Sequence, residues 1–417
     1  MAQAAYKNFA AASSSTLPHL ADVNSYPPQR ILSIDILRGL TMALMIVVND
    51  PGDYNQLYPA LRHADWNGCT PADLVFPNFL FLSGASLVFS IQPRIERSKR
   101  LGESTLPLAQ GLLRRSINLF LLKIFIAALP TFRFRRIRIF GVLFRTVLCS
   151  LMAGLILMRT LRLRSLLMII GCLLAAYNAV LRIPFRLSGK TSLNQPFLDP
   201  DNNLAAFLDR KVALFFHGQL HTGALYNVTH DPEGLLSSAS ALATVLIRSC
   251  AALVMRDIHL TPAGKFLVPA LAGANSLGAG YLWHRTFPIN KNLQTSSYVL
   301  SSAGWSLLSL AVLYLLYDVH QFEQRSRIAH SIARPAYIFG ANALVAYALS
   351  IAVHKIGRFI HVRHQDHSIS LRTFAYRTTL GRRASTPLSS LGFAAAYAAL
   401  IFLPNLFLWY RKIFVKI

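Results

Sequence analysis

Two apolar stretches decide the fold of this chain: ILSIDILRGLTMALMIVVND (residues 31–50) and PADLVFPNFLFLSGASLVFSI (residues 71–91). Each has about the 20 residues that an α-helix needs to cross the hydrocarbon core of a bilayer. Comparable stretches follow along the whole chain. The predicted spans lie at about 33–50, 72–92, 110–129, 139–159, 164–183, 234–255, 264–283, 297–317, 334–356 and 388–410. We therefore predict an all-α fold, a polytopic transmembrane helical bundle of about ten spans.

The composition points to the same class of protein. Of the 417 residues, 53% are hydrophobic and only 14% are charged. A soluble domain carries about 45–50% apolar and about 25% charged residues, so this chain has too few charges to cover a soluble surface. With 4 Cys, 22 Gly and 20 Pro, the chain is neither a disulfide scaffold nor collagen-like. A bilayer is the expected environment.

The charge balance is strongly basic, with 42 Lys and Arg against 17 Asp and Glu, a formal net charge of +25. In a soluble protein this excess would suggest a nucleic-acid partner. No RNA-binding motif or platform of aromatic and basic residues accompanies it here, and basic residues of membrane proteins gather in cytoplasmic loops. We expect no nucleic acid as a partner.

The loops suggest how the chain is organised. Residues 1–30 are rich in Ala and Ser, lack the apolar core of a secretory signal and are predicted to be a flexible tail. Residues 31–417 form the predicted membrane domain. A cytoplasmic N-terminus places most basic loops inside and loops 51–71 and 184–233 outside. Two basic loops, 133–138 and 357–387, then also fall outside, which either a missed span or a folded-in loop would explain.

The densest polar cluster lies between the first two spans, in VVNDPGDYNQLYPALRHADWNGCTPADLVFP (47–77). It contains Asn49, His63, Trp66, Asn67 and Asp73. A His with a carboxylate nearby can act as a general base or as an acyl carrier, because the carboxylate fixes the tautomer of the ring. The alternative is a hydrogen-bonded loop that only connects two helices.

Two further polar segments precede later spans. Asp231 and Glu233 stand where a helix is predicted to begin, so they either cap that helix or contribute to a site. Asn290, Lys291 and Asn292 can bind a polar ligand or cap the helix that follows. The segment 204–217 is too short and polar to span, and is predicted to be a re-entrant or surface helix.

The chain shows no pattern of metal ligands. The three His residues of 217–230 have no metal spacing, and HVRHQDH (361–367) is expected to be a solvated loop. Cysteines form no disulfide framework. We predict no metal site.

Several motifs, in one order along the chain, resemble a known family. They are RILSIDILRGLTMALMIVVND (30–50), LRHADWNGCTPADLVFPNFLFLSGAS (61–86), LLRRSINLFLL (112–122), GVLFRTVL (141–148), NNLAAFLDR (202–210), DPEGLLSSASALATVL (231–246), FPINKNLQTSSYVL (287–300) and FGANALVAYALS (339–350). The family is that of the heparan-α-glucosaminide N-acetyltransferases, in its bacterial branch without the large lumenal domain.

The resemblance implies a multi-pass acyltransferase in the membrane, with acetyl-CoA as co-substrate and an amino sugar on the far side as acceptor. It implies His63 as acetyl carrier or general base, with Asn49 and Asp73 as further catalytic residues. The acceptor would contact Trp66, Asn67, Asp231, Glu233, Asn290, Lys291 and Asn292. Coenzyme phosphates would meet Arg114, Arg115 and Arg145, because guanidinium groups bind phosphates. A bacterial inner membrane with a cytoplasmic N-terminus is expected, and a homodimer is left open.

Three residues depart from the family pattern: Phe144 stands where Gln is usual, Gln294 where Trp is usual, and Arg248 where Gly is usual. Two other functions therefore remain open. One is a transporter or permease for a small polar solute, in which the same intramembrane His, Arg and Asn line a pathway. The other is an O-acyltransferase that modifies a surface polysaccharide.

Overall fold

The computed structural model describes residues 31–133, 137–183, 198–220, 224–226, 229–364 and 367–415. The predicted tail, 1–30, lies outside these ranges, and so does much of the predicted loop 184–233. The residues from Leu32 onward form one unit.

Helices make up most of this unit. In chain order they are α1 Leu32–Asn49, α2 Val75–Leu101, α3 Leu106–Ala128, α4 Val142–Arg159, α5 Leu163–Leu181, α6 Leu204–Leu220, α7 Ser237–Arg256, α8 Pro262–His284, α9 Ser296–Leu313, α10 Phe322–Arg325, α11 Arg327–Ala341, α12 Ala343–Phe359, α13 Leu371–Thr378 and α14 Pro387–Tyr410. The strands β1 His361–His364 and β2 His367–Ser370 form an antiparallel hairpin. Short 3₁₀ turns at Pro59–Leu61 and Pro71–Leu74 lie between α1 and α2, and Tyr314–Val319 extends α9 as a π-helix.

The predicted all-α polytopic fold is confirmed, since every predicted span coincides with a helix or with a bent pair of helices. By length and composition, seven helices of the described chain can cross a membrane, or eight if α11 and α12, bent by 82°, form one broken span. The seven do not include α3 and α8, which correspond to two of the predicted spans. The helix α3 carries three basic residues, Arg114, Arg115 and Lys123, and α8 has a lower hydropathy because it contains several glycines.

Close helix crossings hold the bundle together. A Cβ on Gly39 would lie 1.5 Å from the carbonyl oxygen of Ala336, so α1 and α11 touch backbone to backbone. At the same crossing Arg38 donates to the carbonyl oxygen of Gly340 at 2.6 Å and pairs with Asp35 at 2.6 Å. The charge of Arg38 inside a span is therefore compensated by the carboxylate one turn away.

The bend between α11 and α12 is held from the C-terminus. Asn342 stands at the break, and its side-chain amide donates to the carbonyl oxygen of Ile413 at 3.0 Å. Its side-chain oxygen accepts from the backbone N–H of Val415 at 2.9 Å. These two bonds join the break to the segment that follows α14.

The connections at one end of the bundle bind to one another, and we call this end the loop face. It comprises the described residues of 50–70, 129–141, 198–236, 285–295 and 360–386. The N–H of Gly68 donates to the carbonyl oxygen of Ile289 at 2.8 Å. Arg372 donates to the carbonyl oxygen of Pro51, and the N–H of Ala224 donates to that of Ile137 at 3.2 Å.

The described residues of both basic loops that violate the expected charge bias lie on this face. The described part of 357–387 contains the β-hairpin and α13, and no further helix of membrane-spanning length. The structure therefore favours the folded-in loop over the missed span. Within HVRHQDH, the described residues His361–His364 and His367 belong to strands rather than to an irregular loop.

Candidate active site

His63 and Asp73 meet at the loop face. The Nδ1 atom of His63 lies 2.8 Å from Oδ1 of Asp73, and the His63 side chain is 46% exposed whereas that of Asp73 is fully buried. The ring is thus anchored on its inner nitrogen, and its Nε2 atom is left for other partners. A His held in this way by a carboxylate is the usual arrangement of a general base or a nucleophile.

The local sequence explains why Asp73 points at His63. Thr70 and Pro71 start a 3₁₀ turn, and Asp73 closes a capping box with Thr70. Its Oδ2 atom accepts from the N–H of Thr70 and from the N–H of Ala64, both at 3.0 Å. These bonds hold the carboxylate and the backbone next to His63 together, so the dyad is part of the turn that enters α2.

Lys291 completes the cluster from a distant part of the chain. Its Nζ atom lies 3.2 Å from Oδ1 of Asp73 and 3.1 Å from Nδ1 of His63. An ammonium group has donors only, so it bonds to the carboxylate, and both cationic Lys291 and the Nδ1–H of His63 are directed to Asp73. This arrangement places the lone pair of neutral His63 on Nε2.

Asn290 fixes the loop that carries Lys291. Its side-chain oxygen accepts from the N–H of Leu293 at 2.8 Å, and its amide nitrogen donates to the side-chain oxygen of Asn67 at 3.2 Å. The hydroxyl of Tyr298 donates to the carbonyl oxygen of Asp73 at 2.6 Å. The start of α9 and the segment before it are therefore joined to the His63 loop at three residues: Asn290, Lys291 and Tyr298.

Trp66 forms an apolar wall beside the dyad. Its indole N–H donates to the carbonyl oxygen of Leu198 at 2.8 Å, and its ring packs edge to face on His230, with centroids 5.3 Å apart. Trp66 also packs against a core cluster that includes Phe287 and Leu293. Burial lowers the pKa of His230, so this ring favours its neutral form at the wall.

Asp231 and Glu233 bind a residue that the sequence did not single out as a partner. Nε of Arg138 donates to Asp231 at 2.7 Å, and the same guanidinium bonds to Glu233. Burial lowers the pKa of Arg138, but the two carboxylates outweigh it and raise the pKa above its ordinary value. Capping was the wrong alternative for these acids, because α7 begins only at Ser237.

Arg145 lies at the loop-face end of α4 and is 1% exposed. Its guanidinium donates to the carbonyl oxygen of Pro232 at 2.6 Å, to the side-chain oxygen of Gln294 at 3.2 Å, and to Ser237. Arg145 therefore joins the turn before α7 to the turn before α9. Gln294, one of the departures from the family pattern, is a buried partner in this contact.

Other predicted site residues lie apart from the dyad. Asn49 is exposed, and among the described contacts its carbonyl oxygen, not its side chain, accepts a bond, from Tyr54 at 2.8 Å. Asn292 is half-buried, and no hydrogen bond of its side chain is described. Arg114 and Arg115 are exposed on α3. The roles predicted for these four residues and for Arg145 remain predictions.

The sequence reasoning missed a second pair of this kind. Nδ1 of His354 bonds to Oδ1 of Asp50 where α12 meets the end of α1. The signal was present, since Asp50 belongs to the first polar cluster, but nothing in the sequence indicated a partner more than 300 residues away. Across the described residues, no group of three or more His, Cys, Asp or Glu could hold a metal ion.

Comparison with known proteins agrees with the resemblance inferred from the motifs. Residues 30–200 match the model of the heparan-alpha-glucosaminide N-acetyltransferase catalytic domain, a range that includes His63 and Asp73. Over this range the chain is similar to the heparan-alpha-glucosaminide N-acetyltransferases. The human and mouse proteins of that name are each 26% identical to it over 70% of its length.

The relationship covers only part of those proteins. The aligned region is 49% of the human and 50% of the mouse heparan-alpha-glucosaminide N-acetyltransferase, so the chain spans about half the length of the curated relatives it matches. The family match and the membrane-length helices together identify an integral membrane protein.

Proposed function

We propose that this chain is a membrane acetyltransferase that moves an acetyl group from acetyl-CoA to the amine of an amino sugar of the glucosamine type. The observation that carries the proposal is the exposed His63 ring held by buried Asp73 within the region that matches the family's catalytic domain. The two human and mouse relatives are named for an N-acetyl transfer, which supports the same chemistry here.

Asp73 and Lys291 prepare His63 for this reaction. Asp73 accepts a hydrogen bond from the Nδ1–H of His63, so the lone pair of Nε2 faces the exposed side of the ring. Lys291 lies 3.2 Å from the same carboxylate oxygen, so Asp73 holds both the ring and the ammonium group in place. The neutral form of His63 can accept a proton or an acetyl group at Nε2.

Two routes use this His63. In direct transfer, the amine attacks the thioester carbonyl, a C–N bond forms, the C–S bond breaks, and the amine proton moves to Nε2 before it passes to the thiolate. In the carrier route, Nε2 attacks first and releases the thiolate, and the amine then takes the acetyl group from His63. Both routes need a neutral amine and Nε2 within about 3 Å of the reacting atom.

The acceptor would bind at the rim of the dyad. Trp66 offers an apolar ring face, and the exposed Asn67 offers an amide for sugar hydroxyls. Lys291 lies at the same rim. Asn290 supports this rim through Asn67, whereas Asp231 and Glu233 bind Arg138.

Acetyl-CoA would approach from the end of the bundle opposite the loop face. Arg114 and Arg115 are exposed on α3 and are candidates to meet its phosphates. Arg145 is bonded to protein groups at the loop face, so a contact with the coenzyme there would involve its acetyl end. With a cytoplasmic N-terminus, the coenzyme enters from the cytoplasm and the loop face lies on the far side of a bacterial inner membrane.

The proposal is tested with membrane vesicles that contain the full chain. Vesicles are incubated with radiolabelled glucosamine and acetyl-CoA, and the label is separated into glucosamine and N-acetylglucosamine. We expect N-acetylglucosamine to form only when acetyl-CoA is supplied. Accumulation of unmodified glucosamine inside the vesicles, independent of acetyl-CoA, would instead establish a transporter and refute the proposal.

A further inference from the structure

A large basic cavity opens on the loop face beside the first loop. Its volume is about 1130 Å³, and it is lined by residues of three segments: 52–55, the hairpin with the end of α12, and α13 with the chain that follows it. None of its lining residues belongs to the His63 cluster. It is therefore a feature that the proposed acetyl transfer does not use.

The charge of the lining is almost entirely positive. Four arginines, Arg358, Arg372, Arg377 and Arg382, line the cavity together with two histidines, His361 and His364. Among the described residues that line the cavity, Asp53 is the one acid. Its Oδ2 atom accepts from the hydroxyl of Ser385 at 2.7 Å, and its Oδ1 atom from the N–H of Asn55 at 2.9 Å.

The arginines are not neutralised by the part of the protein that the structure describes. Within the described ranges, no carboxylate lies at ion-pair distance from any of the four. Arg372 rests on the rings of Tyr54 and Phe393, with its Cζ atom 5.6 and 5.5 Å from their centroids, and its Nε atom is buried without a described hydrogen-bond partner. Clustered arginines repel one another unless an anion lies among them.

The walls of the cavity are fixed, so these arginines are held near one another. The ring of Tyr376 lies between Gly52 and Gly381, where an added Cβ would come within 2.4 and 2.8 Å of ring atoms. Its hydroxyl bonds to Ser385 and to Ser389, each at 2.9 Å. Larger residues at either glycine would displace this ring.

A second set of bonds joins the first loop to the start of α14. The N–H of Asp53 donates to the hydroxyl of Ser390 at 3.0 Å, and the N–H of Gly52 donates to the carbonyl oxygen of Ser390 at 3.1 Å. The loop after α13 and the first loop are thus tied to the same helix. The cavity is a prearranged cradle rather than a gap between mobile loops.

We propose that this cavity binds a phosphate ester, through the guanidinium groups of Arg358, Arg372, Arg377 and Arg382. Guanidinium groups bind phosphate oxygens in a bidentate way, and several of them around one cavity suit a dianion. The volume exceeds that of a single phosphate, so the ligand carries a further polar group. This phosphate ester is either a lipid headgroup at the membrane surface or a water-soluble molecule.

The test uses the full chain in nanodiscs and two probes. Pyrophosphate is the soluble probe, titrated by calorimetry into discs of phosphatidylcholine. Phosphatidic acid is the lipid probe, mixed into the discs at increasing fractions, and its retention on the protein is measured by native mass spectrometry. Stronger retention of the lipid identifies a headgroup site, and stronger binding of pyrophosphate identifies a site for a soluble ester.

The variant Arg377→Gln/Arg382→Gln removes two cavity arginines that are exposed, so the fold is retained. We expect it to bind the preferred probe at least about tenfold more weakly, since each bond from a charged donor contributes more than a neutral one. The matched control is Arg383→Gln, which removes an exposed arginine of the same loop that does not line the cavity. It should bind as the unmodified chain does.

Two results would overturn the proposal. One is the failure of both probes to bind the unmodified chain at the affinity of other phosphate sites. The other is an equally weaker binding of the probe by the control and by the double variant, which would show that binding depends only on the general charge of the surface. Acetyl transfer is measured in parallel, and its presence or absence bears on His63 alone, so the two proposals fail independently.

Discussion

At the scale of single residues, the contrast in burial between His63 and Asp73 organises the candidate site. The ring is 46% exposed, and its partner carboxylate has no exposed surface. A buried carboxylate is costly unless it is fully bonded, and Asp73 accepts from His63, Thr70, Ala64 and Lys291. The cost of burying this acid is offset by bonds that also fix the His63 ring.

The variant Asp73→Asn tests whether this bond matters for catalysis. An amide can present its nitrogen to Nδ1 and stabilise the wrong tautomer of His63, so we expect the turnover number to fall about 10²–10⁴-fold. Acetyl transfer to glucosamine is the measurement. Asp65→Asn is the matched control, because Asp65 is exposed in the same loop; a loss of equal size in both variants would contradict the dyad.

The sequence predicted all three residues of this cluster as site residues: His63, Asp73 and Lys291. Each lies in a polar segment beside an apolar span and within a recognisable motif. The contacts of Tyr298 and Arg138 were not predicted. Both depend on how distant loops meet at one end of the bundle, and hydropathy along the chain carries no information about that.

At the scale of helices, the spans were predictable because each is a long apolar run. The short elements were not. The hairpin at 361–370 and α13 have no apolar periodicity, and they take shape by binding the first loop through Arg372 and Tyr376. Their structure is set by tertiary contacts, which act on these residues more strongly than local propensity.

The crossing of α1 and α11 leads to a prediction about stability. Gly39→Ala places a methyl group 1.5 Å from the carbonyl oxygen of Ala336, so the helices must separate. We expect the free energy of unfolding to fall by about 1–3 kcal/mol, as overpacking does elsewhere. The thermal unfolding midpoint in detergent measures this.

The control for that crossing is Gly171→Ala on α5, where no atom lies within 4 Å of the added Cβ. Alanine favours a helix over glycine by about 1 kcal/mol, so this variant should be as stable as the unmodified chain or more stable. Equal destabilisation by both changes would show that the contact of Gly39 is not what holds α1 against α11.

The stability of the folded protein should depend on pH through Asp209, which binds the backbone just before α7. This side chain of α6 accepts from the N–H of Leu235 at 3.0 Å, and burial raises the pKa of Asp209 to about 7. A raised folded-state pKa means that the folded protein binds this proton more tightly than the unfolded chain. The resulting stabilisation is complete below the unfolded value near 4 and is lost as the pH rises through 7.

Asp209→Asn keeps a neutral side chain at every pH. We therefore expect the variant to gain stability relative to the unmodified chain as the pH rises from 5 to 8, by up to about 3 kcal/mol. Thermal unfolding midpoints of both proteins across this range measure the difference. A difference that stays constant with pH would contradict a proton held on Asp209.

At the scale of the whole molecule, the loop face contains the His63 cluster, the ion pairs of Arg138 with Asp231 and Glu233, and the basic cavity. The bias of basic residues toward one side, which suggested the orientation, is weak here because the loop face itself is rich in arginine. The orientation with a cytoplasmic N-terminus places this face outside. It stays a prediction that needs its own measurement.

Cysteine accessibility measures that orientation. Single cysteines are placed at Asp65 and at Arg97 in a background with Cys69→Ser, since Cys69 is exposed in the same loop. In intact cells a membrane-impermeant thiol reagent should label position 65, and it should label position 97 only after the membrane is permeabilised. The opposite pattern would reverse the orientation and leave the chemistry of His63 untouched.

The most direct test of acetyl transfer at His63 compares the purified full chain with its His63→Gln variant. Both are given glucosamine and acetyl-CoA labelled in its acetyl group, and the label in N-acetylglucosamine is counted. His63 is exposed, so the variant should fold as the unmodified chain does. The account predicts transfer by the unmodified chain and a loss of at least about 10²-fold in the variant. Transfer at an unchanged rate by His63→Gln would contradict it.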